Sequence, residues 1–279
     1  MSFLESVLYP TFNVNDNKLE KALYNKTVLI SGASFGIGRL LAEKIAFPNT
    51  KVLILGRTEE QLKLVTLNIK KKGGNAQYYV GDLREKTTTK ELLGLINKDH
   101  ITIDIFVNNA GKSIRRSVYD SVGRFHDFTR TMDLNYYAPV ELILSLLPGI
   151  SKNKGQIINV SSIIVLFPSI PLWSAYQASK GAFHIWFKSV NPELNLKGVA
   201  TNNIYLPLVK TRMIEPTKKF SKLPSMDAEK AMQIVSNSII RRSYNYKPWW
   251  VIIVKPLILL FRKPFNWITI KRLKQKNDS

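Results

Sequence analysis

A doubly wound α/β fold, with a parallel sheet covered by helices on both faces, is what this chain predicts. Three observations point to it. Short runs of branched and aromatic apolar residues recur from residue 26 onward, reading as buried strands. Amphipathic stretches with a helical period separate them. With 279 residues and 45% hydrophobic content, the chain can bury one large core rather than two independent ones. Strands alternating with helices in this way give a parallel sheet whose ligands bind at the carboxyl ends of the strands.

The elements follow in order. Residues 1–25 read as an N-terminal extension, with a short apolar stripe from Phe3 to Tyr9 stopped by Pro10. The main domain is expected over 26–240. Thr27–Ile30 is the first strand, and the turn Ser31-Gly32-Ala33-Ser34-Phe35-Gly36-Ile37-Gly38 leads into a helix near Ile37–Ala46. Lys51–Leu55 is the second strand, followed by a charged helix over Glu59–Lys72 that Gly73-Gly74 ends. Gln77–Val80 and Ile103–Val107 supply two more strands, with a helix near Thr89–Asn97 between them. A long helix near Asp127–Leu147, a strand over Gln156–Val160, a helix over Ala175–Val190 and a strand over Val199–Leu206 complete the pattern. Residues 241–279 depart from it. The run from Trp249 to Phe261 is apolar, interrupted by Lys255-Pro256, and flanked by Arg241, Arg242, Lys247, Arg262, Lys263, Lys271, Arg272 and Lys274. Such a segment is either a substrate lid or a stretch lying in an anionic membrane interface.

Composition excludes several chemistries. Cysteine is absent, which removes disulfides and thiolate catalysis. The three histidines, His100, His126 and His184, form no ligand pair at helical spacing, so no metal is expected. The opening residues lack the pattern of a secretory signal, so the expected compartment is the cytoplasm, with peripheral membrane association as one reading of the C-terminal segment. The net charge of +21 attracts anions: nucleic acid, anionic lipid or phosphorylated small molecules. No nucleic-acid recognition motif accompanies it, so nucleic acid is not expected as a partner.

Two motifs carry the chemistry. Gly32, Gly36 and Gly38 follow a strand and precede a helix, where glycine lets the backbone approach a pyrophosphate that meets a helix N-terminus. At the end of the second strand, where a carboxylate would accept from a ribose 2′-hydroxyl, the chain has Gly56-Arg57-Thr58. A guanidinium suits a 2′-phosphate, Ser34 can add a donor to it, and NADP is therefore expected over NAD. Asp82, after the third strand, could receive the adenine amine, and Asn109, Ala110 and Gly111 after the fourth let the backbone pass close to the cofactor. The second motif is Tyr176-Gln177-Ala178-Ser179-Lys180. Four residues apart on one helix, the phenol and the ammonium share a face. An ammonium ~4 Å away at an effective dielectric of ~20 favours the phenolate by about 4 kcal/mol at most, which predicts an acidified Tyr176.

With these residues in place, the chain resembles the short-chain dehydrogenase/reductase family over about residues 26–215, which implies a Rossmann-type sheet. Within that family it is most similar in motif to single-domain bacterial fatty acyl-CoA reductases. The likeness is carried by Asn108 to Val118, Arg124 to Phe128 with Arg130-Thr131-Met132, Leu206 to Ile214, and Pro216-Thr217-Lys218. The resemblance implies that Ser162, Tyr176, Lys180 and Asn135 are catalytic. Ser162 would bond the substrate carbonyl, Lys180 would hold the nicotinamide ribose, and Asn135 would hold a water. It also implies cofactor contacts at Gly32, Ser34, Gly36, Ile37, Gly38, Arg57, Asp82, Leu83, Asn109, Ala110, Gly111, Tyr176, Lys180 and Thr211, and a homodimer or homotetramer.

The chain departs from the family pattern at four places. Ser162 lies fourteen rather than thirteen residues before Tyr176, Ser31 replaces threonine, Phe35 replaces a small residue, and Lys112 replaces arginine. Strand-end capping is the alternative role for Ser161 and Ser162, and is expected more for Ser161. Arg115 and Arg116 either form surface salt bridges, or meet phosphates of coenzyme A or order the substrate loop. The function expected is an NADP(H)-dependent reductase of a lipid-like carbonyl, a fatty acyl-CoA or fatty aldehyde. The alternatives are a 3-ketoacyl or 3-ketosphinganine-type ketone reductase and a non-catalytic NADP-binding protein of the membrane surface.

Overall fold

Strands that are apolar on both sides need cover on both faces, and the order of the elements supplies it. The computed structural model describes residues 3–11, 13–99, 101–214, 223–261, 263–264 and 267–271. Along the chain run α1 (Phe3–Leu8), α2 (Asp16–Leu23), β1 (Lys26–Ser31), α3 (Gly36–Lys44), β2 (Thr50–Gly56), α4 (Glu59–Lys71), β3 (Asn75–Val80), α5 (Lys86–Lys98) and β4 (Ile105–Asn108). Then come α6 (His126–Met132), α7 (Ala138–Lys152), β5 (Gln156–Ser162), α8 (Ser174–Leu196), β6 (Ala200–Leu206), β7 (Val209–Lys210), β8 (Met226–Asp227), α9 (Ala228–Ile240) and α10 (Val251–Leu260).

The main sheet has the order β3-β2-β1-β4-β5-β6, and every pairing is parallel. Val28 faces both Val52 and Ile105 in register, so β1 is the centre from which the chain winds out in two directions. That reversal between β1 and β4 opens a crevice at the carboxyl ends of the strands. Side chains alternate across the sheet. Val28 and Ile30 join the core beneath α2, α3, α4 and α9, while Leu29 joins Phe106, Ile157, Phe183 and Phe187 beneath α5, α7 and α8.

The helix expected over Asp127–Leu147 is present, but it is divided. Residues Asp133–Tyr137 form a π-helical turn between α6 and α7. Such a turn inserts a residue and re-aims the side chains around it, and it is frequent at functional sites.

Residues 1–25 contribute to the core rather than trailing from it. Asn15 caps α2 by accepting from the Lys18 N–H at 3.0 Å, and Leu19 and Leu23 of that helix are completely buried. Buried Glu5 of α1 pairs with Lys210 at 3.1 Å and accepts from the Ser225 N–H at 3.1 Å. At the other end, Tyr246 is buried and exchanges backbone hydrogen bonds with Asn203 and Tyr205 of β6. The chain beyond α9 thus completes the sheet edge before α10 begins. Among the described residues no helix is long and apolar enough to cross a membrane.

Candidate active site

The glycine turn has the geometry its sequence requires. Gly32 and Gly36 hold φ of +68° and +55°, the left-handed region that penalises a side chain. At Gly38 a Cβ would lie 2.6 Å from the Asn109 amide nitrogen, which itself donates to the carbonyls of Ser31 (3.1 Å) and Gly32 (3.0 Å). Ser31 does the work of the threonine it replaces. Its Oγ accepts from the N–H groups of Asn109 and Ala110, each at 3.1 Å, tying the end of β1 to the end of β4. Phe35 caps α3 without a side-chain bond, and the Arg212 guanidinium lies 4.7 Å over its ring. Thr211 is brought to the same turn, with its methyl 3.2 Å from where a Cβ on Gly36 would stand.

Whether this cradle suits a phosphorylated dinucleotide can be judged from one atom. The Ser34 hydroxyl is buried and lacks a hydrogen-bond partner. It points at the end of β2, where any side chain on Gly56 would collide with it. A buried hydroxyl is costly without a partner, and this one stands against Gly56, the residue before Arg57. The residues present fit a nicotinamide dinucleotide.

Asp82, expected at the adenine, is ion-paired. Its carboxylate faces Arg84, whose Nε donates to both oxygens at 3.0 Å and whose Nη2 also bonds it, with Arg57 at 3.6 Å. Burial works to raise this carboxyl, but the bonds from Arg84 and the charge of Arg57 hold it below its ordinary value. Leu83, beside it, is buried. Arg84 is a member of the site that sequence reasoning missed; its position two residues after Asp82 was the available signal.

At the catalytic end, β5 delivers Ser162 and α8 delivers Tyr176 and Lys180 to one cavity of about 520 Å³. Ser162 Oγ accepts from the Ile164 N–H at 3.3 Å, so its own hydrogen is free to be donated to the Tyr176 phenol. The strand-end capping expected of Ser161 is therefore performed by Ser162. Tyr176 itself differs from expectation. Its pKa is raised, not lowered, because burial of the phenol outweighs the Ser162 bond. Lys180 is also buried, and loss of hydration brings its amine down to about 8. Lys180 lies against Gly111, where an added Cβ would come within 3.2 Å of the Nζ.

Asn135 sits in the π-helical turn, and its amide is fully engaged. Its Oδ1 accepts from the Lys112 N–H at 3.0 Å, while its Nδ2 donates to the Lys112 carbonyl and to Ser179 Oγ, both at 2.9 Å. The side chain expected to hold a water clamps the segment after β4 to α8. Lys112 lines the cavity, and its pKa is lowered by burial and then by Arg130, Arg84 and Arg57. Arg116 pairs with buried Asp127 at 2.9 Å, together with Arg124 and Arg130. Arg116 thus makes the ion pair that one of its two readings expected. His126 lies 3.5 Å from the same carboxylate, and His184 Nδ1 is 3.3 Å from the Tyr205 hydroxyl. His100 and Pro216-Thr217-Lys218 lie outside the described residues.

The cavity is continuous from cofactor end to substrate end. Ile37, Asn109, Gly111 and Thr211 stand at one end. Phe167, Ile170, Trp173, Met213, Val254 and Ile258 wall the other. The loop that carries the extra residue between Ser162 and Tyr176 forms part of that wall, and Gln177 fastens it. The Gln177 amide nitrogen donates to the carbonyls of Ile164 (3.0 Å), Phe167 (3.3 Å) and Pro168 (3.1 Å). Its oxygen accepts from the Ile170 N–H at 2.8 Å. Sequence reasoning passed over Gln177, although a loop with Pro168 and Pro171 needs outside partners for its backbone.

Comparison with known proteins gives a consistent picture. The family model for short chain dehydrogenase matches residues 26–222. A fatty acyl-CoA reductase of Acinetobacter baylyi is 41% identical over 232 residues, covering 81% of this chain and 78% of that protein. A fatty acyl-CoA reductase of Mycobacterium tuberculosis is 35% identical over 256 residues, covering 91% and 87%. Among solved structures, a short-chain dehydrogenase/reductase from Caenorhabditis elegans with cofactor superposes with a TM-score of 0.70 at 26% identity, covering 79% of this chain and 90% of that one. One from Sphingobium yanoikuyae in complex with NADPH gives 0.72 at 21% identity, covering 90% and 94%, and at that identity speaks for the fold alone.

Proposed function

The chain belongs to the short-chain dehydrogenase family, an oxidoreductase family whose fold binds a nicotinamide cofactor, and on that premise we propose that it reduces the carbonyl of a fatty acyl-CoA or fatty aldehyde with NADPH. The observation that carries this reading is the placement of Ser162, Tyr176 and Lys180 in a cavity whose far end is walled by apolar side chains. An alkyl chain fits such walls, and its carbonyl is then held at the polar end.

The nicotinamide, when bound, supplies a hydride to the carbonyl carbon. Tyr176 gives its proton to the carbonyl oxygen, which completes the alcohol from an aldehyde and, from an acyl-CoA, gives a thiohemiacetal whose C–S bond breaks to release the coenzyme A thiol and the aldehyde. A phenol raised by burial is fully protonated at neutral pH, which is the form a reduction consumes. Ser162 donates to the same oxygen as negative charge builds there. Lys180, an ammonium at neutral pH, stabilises the phenolate left behind and would hold the cofactor ribose. Asn135 keeps Lys112 and Ser179 in register, and thereby the two walls between which Lys180 stands.

The preference for NADPH rests on Arg57 and the partnerless Ser34 hydroxyl. The four cations Arg57, Arg84, Lys112 and Arg130 act on one another's surroundings and favour a phosphorylated ligand beside them. A charge-assisted bond is worth ~1.5–3 kcal/mol, so Arg57→Ala should raise the Kd for NADPH about 10- to 100-fold while leaving that for NADH unchanged. Fluorescence titration with the two cofactors checks this.

The activity itself is tested by incubating the purified chain with NADPH and a panel of acyl-CoAs, fatty aldehydes and 3-keto lipids, with product analysis. Aldehyde or alcohol from an acyl-CoA supports the reading. A hydroxy lipid formed from the keto lipids alone would redirect it to a ketone reductase, and no cofactor oxidation with any of them would sink it.

A further inference from the structure

Of the ten residues in α10, Lys255 is the single one with a charged or polar side chain. A helix apolar on every side belongs inside a core or in lipid. Yet α10 is covered along one flank only. Val251 is buried, and Val254 and Ile258 line the active-site cavity. The other flank faces outward, with Ile252 60% and Leu260 78% exposed.

The apolar surface continues past the helix. The Trp249 indole N–H donates to the Val7 carbonyl of α1 at 3.1 Å, and Phe3 and Leu4 of α1 are exposed beside it. Trp267 is exposed as well, with the Lys271 ammonium 5.3 Å over its ring. Aromatic and lysine side chains in this mixture suit the level of lipid headgroups. The charge of the region has one sign, since the sequence has no Asp or Glu between Glu229 and Asp278 while lysine and arginine recur throughout.

We propose that the outer face of α10, together with α1, docks on an anionic lipid bilayer, and that an acyl chain enters the cavity from the bilayer past Val254 and Ile258. The helix that walls the pocket is thus the one that touches the membrane. The docking stands on the exposed face and its charge; the entry route rests on the proposed lipid substrate. A second copy of this chain is a poorer occupant, because a two-fold contact along α10 would set Lys255 and its basic surroundings against their own equivalents.

Flotation of the purified full chain tests the docking without reference to turnover. Vesicles of phosphatidylcholine alone are compared with vesicles containing phosphatidylglycerol, at low and high salt. The chain is expected to float with the anionic vesicles, to be released by salt, and to shift its tryptophan emission to the blue on binding. Lys255→Gln should lower partitioning about fivefold. Leu260→Glu, and independently Ile252→Glu, should abolish flotation while leaving the thermal midpoint and NADPH oxidation with a short water-soluble aldehyde unchanged. Flotation that is equal with both vesicles, unaffected by these substitutions, or absent altogether would overturn the proposal. So would self-association without lipid that Leu260→Glu removes. A chain that floats but reduces nothing would leave the docking intact and remove the proposed activity; active protein that never floats would do the reverse.

Discussion

Tyr176 is where the residue-level argument is sharpest, because its acidity is governed by two opposed effects. The hydrogen bond from Ser162 favours the phenolate, but enclosure of the ring removes the water that would stabilise it, and in this chain enclosure wins. The phenol therefore acts as an acid in reserve, and the lysine matters most after the proton has left. Tyr176→Phe should lower kcat by ~10²- to 10⁴-fold while NADPH still binds, measured by single-turnover kinetics beside a cofactor titration. Lys180 makes a second, thermodynamic prediction. Its pKa is about 8 in the folded chain against an ordinary 10.5, so between those limits the unfolded chain binds more protons. Stability contributed through this group accordingly rises as pH increases from about 8 towards 10.5. Lys180→Met should abolish that slope and, at neutral pH, stabilise the fold by about 3 kcal/mol at most. Urea unfolding at pH 7 and pH 10 for both proteins checks it. An unchanged difference between the two pH values would mean that Lys180 is hydrated after all.

At the scale of elements, the site depends on a loop and a turn that hold no reacting atoms. The π-helical turn of Asp133–Tyr137 places the Asn135 amide where it can bridge Lys112 and Ser179. The loop between β5 and α8 is longer than the family pattern, and Gln177 ties it down through four backbone groups. Each such bond contributes about 1 kcal/mol, so Gln177→Leu should release Phe167 and Ile170 from the pocket wall without disturbing α8. The expected outcome is a KM for long acyl substrates that rises while kcat changes little, together with amide exchange at Ile170 that is about tenfold faster. A fall in kcat at constant KM would instead place Gln177 in the chemistry.

For the molecule as a whole, the terminal segments are part of the enzyme body rather than additions to it. Leu19 and Leu23 are completely buried against the helices of the main sheet, and Glu5 is fastened to Lys210 and Ser225. Leu23→Ala should cost ~2–5 kcal/mol of stability, the usual penalty for emptying a packed leucine site. Thermal unfolding measures it, and a loss below 1 kcal/mol would show that α2 is dispensable. The same wrapping sets Val254 and Ile258 of α10 in the cavity wall, while Trp249, just before α10, bonds the Val7 carbonyl of α1.

Local sequence alone determined the alternation of strands and helices, the glycine turn and the order in which Ser162, Tyr176 and Lys180 arrive. Each of these depends on contacts within a few residues or on a fixed helical spacing, and such constraints are written directly in the residue types. Tertiary structure decided what distant segments do to one another. It engaged Asn135 with Lys112, raised the Tyr176 phenol and folded α2 into the core. Burial and the partners of a buried polar group are set by chain far away in sequence, so no local pattern could reveal them.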